Sequence, residues 1–323
     1  MRILRITALL ALAILTSNST CKHDQLQTSK NVRLIYWNIQ DGMWDGQDDN
    51  YDRFVEWVKA KDPDICVWCE AQSHVETGSE KNLPQEKRYL VDNWGELAAR
   101  YGHAYWGIGG HRDNYPQVIT SKYPITYVDK IVGEESDVIV SHGAGWATVE
   151  VGGKPVNIVT LHLWPQAFAY GTKDRDASRA ENGGDKYREE EVRYICEHTI
   201  GTTPGSEDEF WLMLGDFNSK SRVDNATYNL ADNSSQFLVH DYISHNTPYL
   251  DVIHEKYPYT FKPSTGSKTS RIDFVYCTKA LYNHITFADI VWDDYTTPVK
   301  VKGLRYLWSP SDHLPILVDF KID

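Results

Sequence analysis

The sequence predicts a layered α/β fold, and three observations carry that reading. First, residues 32–39 form an apolar run of strand character, and residues 51–61 place Phe54, Val55, Trp57 and Val58 at helical spacing before Asp62-Pro63 ends the segment. A second strand run, Ile65-Cys66-Val67-Trp68-Cys69, follows directly. Second, strand-like runs recur at 117–120, 145–151, 156–163, 210–214, 272–277 and 314–320, several of them alternating or rich in Val and Ile. Third, residues 185–199 repeat the helical spacing, with Tyr187, Val192 and Ile195 on one side and Glu189, Glu190 and Arg193 on the other. Strand, helix and strand in alternation suit sheets covered by helices. Gly152-Gly153 between two of the strand runs reads as a hairpin turn.

Composition narrows the function classes. Of 323 residues, 41% are hydrophobic and 24% charged, which fits a folded globular body and excludes both a disordered and a membrane-embedded chain. A formal net charge of −12 argues against a broad basic face gripping a long polyanion, because neutralising phosphates requires Lys and Arg. Extended nucleic-acid binding is therefore not expected, although Lys300, Lys302 and Arg305 offer a local basic cluster. The N-terminus carries Arg2 and Arg5, then the apolar run 6–15, then small polar residues, the layout of an export signal and too short to span a bilayer. Cys21 after Ser19-Thr20 is a candidate for lipoprotein-type lipidation, the alternative being an ordinary cleaved signal. Residues 1–21 are thus read as signal, 22–31 as a polar tether and 32–323 as a single catalytic domain, exported, membrane-anchored or periplasmic, and monomeric. Cys66 and Cys69 form a C-x-x-C, but residues three apart on a strand point to opposite faces, so buried thiols are expected there.

The polar residues of interest fall where apolar strands end: Asn38, Glu70, His162, Asp216 with Asn218, Asp273, and Asp312-His313. Strand ends and their loops are where a rigid sheet holds side chains for chemistry. Singly, most have plain readings. Asn38, Asn218 and Asp216 are good turn formers, His162 is as readily a satisfied core histidine, and Asp312 resembles a loop cap. Glu70 is harder to dismiss, because an acid ending an apolar strand is costly to bury without a cation.

Together the stretches Tyr36-Trp37-Asn38-Ile39, Pro63-Asp64-Ile65 leading to Glu70, Ser121-Lys122-Tyr123-Pro124-Ile125, Thr160-Leu161-His162, Gly215-Asp216-Phe217-Asn218, Arg271-Ile272-Asp273-Phe274 and Ser311-Asp312-His313 resemble, in order, the endonuclease/exonuclease/phosphatase superfamily. This resemblance implies a four-layer sandwich of two packed mixed β-sheets flanked by α-helices. It implies Glu70 as principal metal ligand with Asp312 and Asn38 near the metal, and Mg²⁺ or Mn²⁺ as the ion such hard oxygens suit. It further implies His313 as general base oriented by Asp273, Asp216 and Asn218 as positioning groups, and His162 on a phosphate oxygen or the leaving group. One departure stands out: where some relatives carry an arginine, near Ser141, this chain has His142-Gly143-Ala144. The segment 164–186 is long for a connection and, following His162, is expected to overhang the site.

These readings favour a secreted, metal-dependent phosphoester hydrolase acting on a small or membrane-displayed phosphoester. Tyr105, Trp106, Tyr115, Trp164, Phe168 and Tyr170 are the aromatics expected to stack on that substrate or else to fill the core. An extracellular nuclease is the second reading, and a catalytically inactive surface binding module, suggested by eleven tryptophans and twenty tyrosines, is the third.

Overall fold

The computed structural model describes residues 29–43, 50–71, 93–110, 115–133, 138–303 and 308–323, so Cys21 and the segment expected to be an export signal lie outside the described residues. The strands in chain order are β1 (Lys30–Asn38), β2 (Ile65–Cys69), β3 (Tyr105–Gly110), β4 (Gln117–Ser121), β5 (Ile125–Gly133), β6 (Ile139–Val151), β7 (Lys154–His162), β8 (Trp211–Asp216), β9 (Tyr249–Asp251), β10 (Asp273–Thr278), β11 (Ile285–Ile290), β12 (Val299–Lys300), β13 (Trp308–Ser309) and β14 (Ile316–Ile322). Two six-stranded sheets result, ordered β11-β14-β1-β2-β4-β3 and β5-β6-β7-β8-β10-β9. The tether boundary shifts slightly, since Lys30 and Asn31 already pair with Ile322 and Lys321 of β14.

The alternation of side chains along each strand builds three apolar layers. Leu34 and Tyr36 of β1 meet Val156 and Ile158 of β7, Leu212 and Leu214 of β8 and Val275 of β10 in the core between the sheets. The opposite face of the first sheet, Ile35, Trp37, Cys66 and Trp68, packs on Phe54, Val55, Trp57 and Val58 of the helix Asp52–Lys61. The opposite face of the second, Val159, Leu161, Met213 and Phe274, packs on Val192 and Ile195 of Gly183–Glu197 and on Val239 and Ile243 of Leu238–Asn246. Helix, sheet, sheet, helix is the four-layer sandwich. Cys66 and Cys69 fall in different layers, both buried and unbridged, as strand alternation requires.

Both sheets are mixed. β1 and β2 are parallel, joined through the helix Asp52–Lys61, and β7 and β8 are parallel, joined through Gly183–Glu197, which is the crossover that parallel neighbours require. β14 and β10 run antiparallel to them. The carboxyl ends of four strands and the amino ends of two therefore meet at one edge. Gly152 and Gly153 turn β6 into β7 with φ of 62° and 85°, the left-handed pair a two-residue hairpin demands.

Candidate active site

Pairing register brings the strand-end residues together. Asn38 and Cys69 are partners across β1 and β2, which puts Glu70 just beyond Asn38. His162 pairs with Asp216 across β7 and β8, and Asp216 with Asp273 across β8 and β10. Gly215 is needed here, because a Cβ at that position would lie 2.1 Å from the Leu161 carbonyl oxygen.

A histidine and carboxylate form the tightest unit. His313 Nδ1 donates to Asp273 Oδ2 at 2.7 Å, and the same carboxylate accepts from Tyr36 Oη at 2.8 Å and from Ser264 Oγ at 2.8 Å. Three donors fix Asp273 in the interior. His313 Nε2 then lies 3.7 Å from Asp216 Oδ2 and 3.7 Å from Asp312 Oδ1. Burial alone would push the His313 imidazole down, but Asp273, Asp312 and Asp216 together raise it well above its ordinary value.

The acids face one another. Asn38 Nδ2 donates to Glu70 Oε1 at 3.0 Å and to Asp216 Oδ2 at 3.1 Å, while its Oδ1 accepts from the Gln40 amide at 3.0 Å. Asn38 thus stands between two carboxylates as a donor to both. Burial first, then the Asp41 carboxylate, pushes Glu70 up to about 7; burial, then Asp273, pushes Asp216 up to about 8. Asp312 is raised as well, by burial above all. Asp216 Oδ1 accepts from the Asn218 amide at 2.9 Å, and Asn218 Nδ2 ties the turn to the Leu163 carbonyl at 3.0 Å.

His162 Nε2 is 3.9 Å from Glu70 Oε1 and 3.9 Å from Asp216 Oδ2. Burial, then His142 and His313, lowers His162 well below its ordinary value, so it is held neutral. Its Nδ1 finds no hydrogen-bond partner among the described residues. The His142 ring lies against it with centroids 4.5 Å apart.

The donor set fits a divalent cation. Glu70, His162 and Asp216 each offer a ligand atom within 4.8 Å of the others, as do Asp216, Asp273 and His313. Carboxylates that hold protons near neutrality because they are buried and, next, because other acids face them are groups whose charge a cation would stabilise.

A model of the Endonuclease/Exonuclease/phosphatase family matches residues 35–313. The chain belongs to that family. No curated protein sequence gives a match. Among solved structures, an AP endonuclease from Archaeoglobus fulgidus superposes with a TM-score of 0.57 at 15% identity, covering 90% of this chain and 99% of the other. The human Nocturnin catalytic domain with bound sulfate anion gives 0.59 at 13% identity, with coverages of 90% and 94%. An endonuclease/exonuclease/phosphatase family protein from Bacteroides thetaiotaomicron gives 0.57 at 14%, with 91% and 99%. At these identities the likeness speaks for the fold.

Within the family frame, other residues enter that strand ends did not reveal. The left-handed turn Gln40–Met43 holds Glu70: the Asp41 amide donates to Glu70 Oε2 at 3.0 Å and the Gly42 amide to the Glu70 carbonyl at 2.7 Å. Glu70 itself has φ of 54°, a strained setting for a residue with a side chain. Ser311 Oγ donates to the Asn38 carbonyl at 2.7 Å and accepts from the His313 amide at 3.1 Å, fixing β1 to the Asp312-His313 turn.

Some expectations are redirected. The Ser121 to Ile125 motif, for which no site role is expected, leads from the far end of β4 in the first sheet into β5 of the second, and there Lys122 Nζ pairs with Asp62 at 2.7 Å and Asp64 at 3.3 Å. Tyr105 and Trp106 share that far end, since they pair with Ser121 and Thr120, and so do not surround the site. Tyr115 and Trp164 are close, with Tyr115 5.9 Å from His162 and Trp164 5.8 Å from His142 between ring centroids. From the 164–186 connection, Pro165, Gln166 and Arg179 line a cavity beside the acid cluster that Asn218 also lines.

The acid cluster sets a pH dependence for the metal-free protein. Unfolded Glu and Asp titrate near pH 4, whereas folded Glu70 and Asp216 hold protons up to about 7 and about 8, so the native state binds more protons across that window. Stability must fall as pH rises through it. The raised His313 acts in the same sense, stabilising at low pH and losing that contribution as pH passes its folded value. His162, His240 and His103, lowered by burial, act in the opposite sense below the ordinary histidine value of about 6.5, so the acids are read above it; Asp293, pushed down to about 2, acts only at lower pH. The urea midpoint with chelator present should be higher at pH 7 than at pH 8.5, and Mg²⁺ or Mn²⁺ should restore more of it at pH 8.5. A metal-free midpoint that rises with pH contradicts the crowding of these acids.

Proposed function

We propose that this chain is a divalent-metal-dependent phosphoester hydrolase acting on a small or membrane-displayed phosphoester. One observation carries the reading: the Asp273–His313 pair meets Asp216, Glu70 and His162 at one end of the two-sheet sandwich. Glu70, aided by Asp41 and Asp312, would hold Mg²⁺ or Mn²⁺, with Asn38 steering Glu70 by its hydrogen bond. Bound there, the cation would polarise the phosphoryl group and offset developing charge.

The protein's own residues supply the rest. Asp273 accepts the Nδ1 proton of His313 and so leaves Nε2 as the atom that takes a proton from the attacking water. Asp216 Oδ2, 3.7 Å from that Nε2, orients the same water. Neutral His162 carries one ring N–H, which donates to a phosphate oxygen. Asn218, its side chain fixed to Leu163, holds the turn that aims Asp216.

The net charge of −12 favours a small substrate over duplex DNA, since each duplex phosphate contact draws on Lys or Arg. Export and lipidation at Cys21 would put that substrate outside the cytoplasm, beside a membrane. The experiment is a substrate panel with Mg²⁺ or Mn²⁺: an aryl phosphodiester, sugar phosphates, inositol phosphates and sphingomyelin against plasmid and RNA. Small or membrane-displayed phosphoesters should be turned over fastest. Plasmid cut faster than all of them, with steep inhibition by salt, would instead establish the nuclease reading.

A further inference from the structure

Alongside the catalytic edge lies a cavity of about 360 Å³ whose lining the hydrolytic reading leaves almost unused. Gln166 and Arg179 of the 164–186 connection, Arg188 of the helix Gly183–Glu197, Asn218 and Lys220 after β8, and Gln236 contribute to its walls. Ile272, next to Asp273, lines it too, so both Asp216 and Asp273 have near neighbours in the cavity wall.

Its charge runs against that of the molecule. In a chain of net charge −12, the ionic groups lining this cavity are Arg179, Arg188 and Lys220 against Asp185 alone. Asp185 pairs with Arg188, and Arg179 with the more exposed Asp176 at 2.6 Å. Lys220 has no carboxylate partner among the described residues; its ammonium lies 4.8 Å from the Tyr228 ring centroid. Arg188 is 6% exposed, and its Nη1 holds the wall in place by donating to the Trp164 and Gln166 carbonyls at 2.8 Å and 3.1 Å. Its Nε is buried with no acceptor among the described residues. That nitrogen has no accessible surface, so Arg188 acts on the cavity through its positive charge and leaves direct contact with an anion to Lys220.

We propose that this cavity is a second anion subsite, which holds a phosphate or carboxylate of the substrate other than the scissile phosphate, with Lys220 as its chief contact. The inference rests on the phosphoesterase reading and narrows it to small phosphoesters that carry two anionic groups. A neutral head group would leave Lys220 unanswered. The gap also suits a single group better than a duplex, because the 164–186 wall closes one side.

The test uses the full-length protein with Mg²⁺ and two pairs of probes: fructose 1,6-bisphosphate against fructose 6-phosphate, and 3-phosphoglycerate against glycerol 3-phosphate. Wild type should favour the doubly anionic member of at least one pair by about tenfold or more in kcat/KM, and the pair that responds tells phosphate from carboxylate. Lys220→Gln should reduce that ratio about tenfold, through KM, and Lys220→Arg should restore most of it. Calorimetric titration of the same probes with chelator present reads binding without turnover and should show the same order. If an aryl phosphodiester is hydrolysed but wild type shows no such preference, or if Lys220→Gln leaves the ratio unaltered, the subsite is overturned while the hydrolytic reading stands. If no phosphoester is turned over, calorimetry still decides: equal binding by wild type and Lys220→Gln overturns the subsite.

Discussion

His313→Ala should lower kcat by about two to four orders of magnitude while leaving the metal concentration for half activity close to that of wild type. The expectation follows from position: His313 Nε2 is the proton acceptor facing Asp216, and its other nitrogen is committed to Asp273 at 2.7 Å. Asp273→Asn sharpens the test. It preserves shape but removes the carboxylate that raises His313, so the acidic limb of the kcat/KM profile should move to lower pH. Near-normal turnover by His313→Ala would remove the imidazole from the mechanism.

The second large effect is on stability. Arg271 is 1% exposed and bridges two buried acids, with Nε donating to Asp224 Oδ2 at 2.8 Å and Nη1 to Asp251 Oδ1 at 2.9 Å. Arg271→Met should cost about 3–5 kcal/mol, because it strands both carboxylates without a cation in the interior. Although it lies two residues from Asp273, its role is to fasten the loop around Asp224 and the end of β9 beneath the site. A loss below about 1 kcal/mol in urea melts would show that the acids find other partners or accept protons.

Asn38, Glu70, His162, Asp216, Asp273 and His313 stand at strand ends in the sequence, but only Glu70 resists a plain reading by itself, and it is the ordered family resemblance that marks them as a set. Tyr36 was not legible as a site residue. It alternates as a core aromatic should, and only the packing of the two sheets brings its hydroxyl to Asp273, 237 residues away. Asp41 was hidden for a different reason: its part depends on a left-handed turn with positive φ at Gln40, Asp41, Gly42 and Met43, and polar, Gly-containing loops give no periodicity to read. Ser264, Ser311 and Glu191 likewise act through contacts between segments distant in sequence, Glu191 by accepting from the Ser141 amide at 2.7 Å and the Trp164 amide at 2.9 Å.

The central strands stood out and the edges did not. β5 exposes most of its residues, so alternation against a core is weak there. β3 carries Gly107, Gly109 and Gly110, which suppress strand propensity. The glycines have a reason visible only in three dimensions: a Cβ on Gly145 would stand 1.6 Å from the Gly109 carbonyl oxygen, where β3 and β6 approach across the sandwich. The helix Leu238–Asn246 was also missed, its apolar face being limited to Val239 and Ile243 around buried His240.

Metal removal tests the central claim most directly. The full-length protein, stripped exhaustively with chelator and then titrated with Mg²⁺ or Mn²⁺, is assayed on an aryl phosphodiester alongside Glu70→Gln. The account predicts loss of turnover on stripping, recovery on metal addition, and a shift of half-activation to higher metal concentration in Glu70→Gln, because Glu70 belongs to the crowded acid set a cation would relieve. Full turnover by the stripped protein, insensitive to added metal and to the Glu70 substitution, would contradict it.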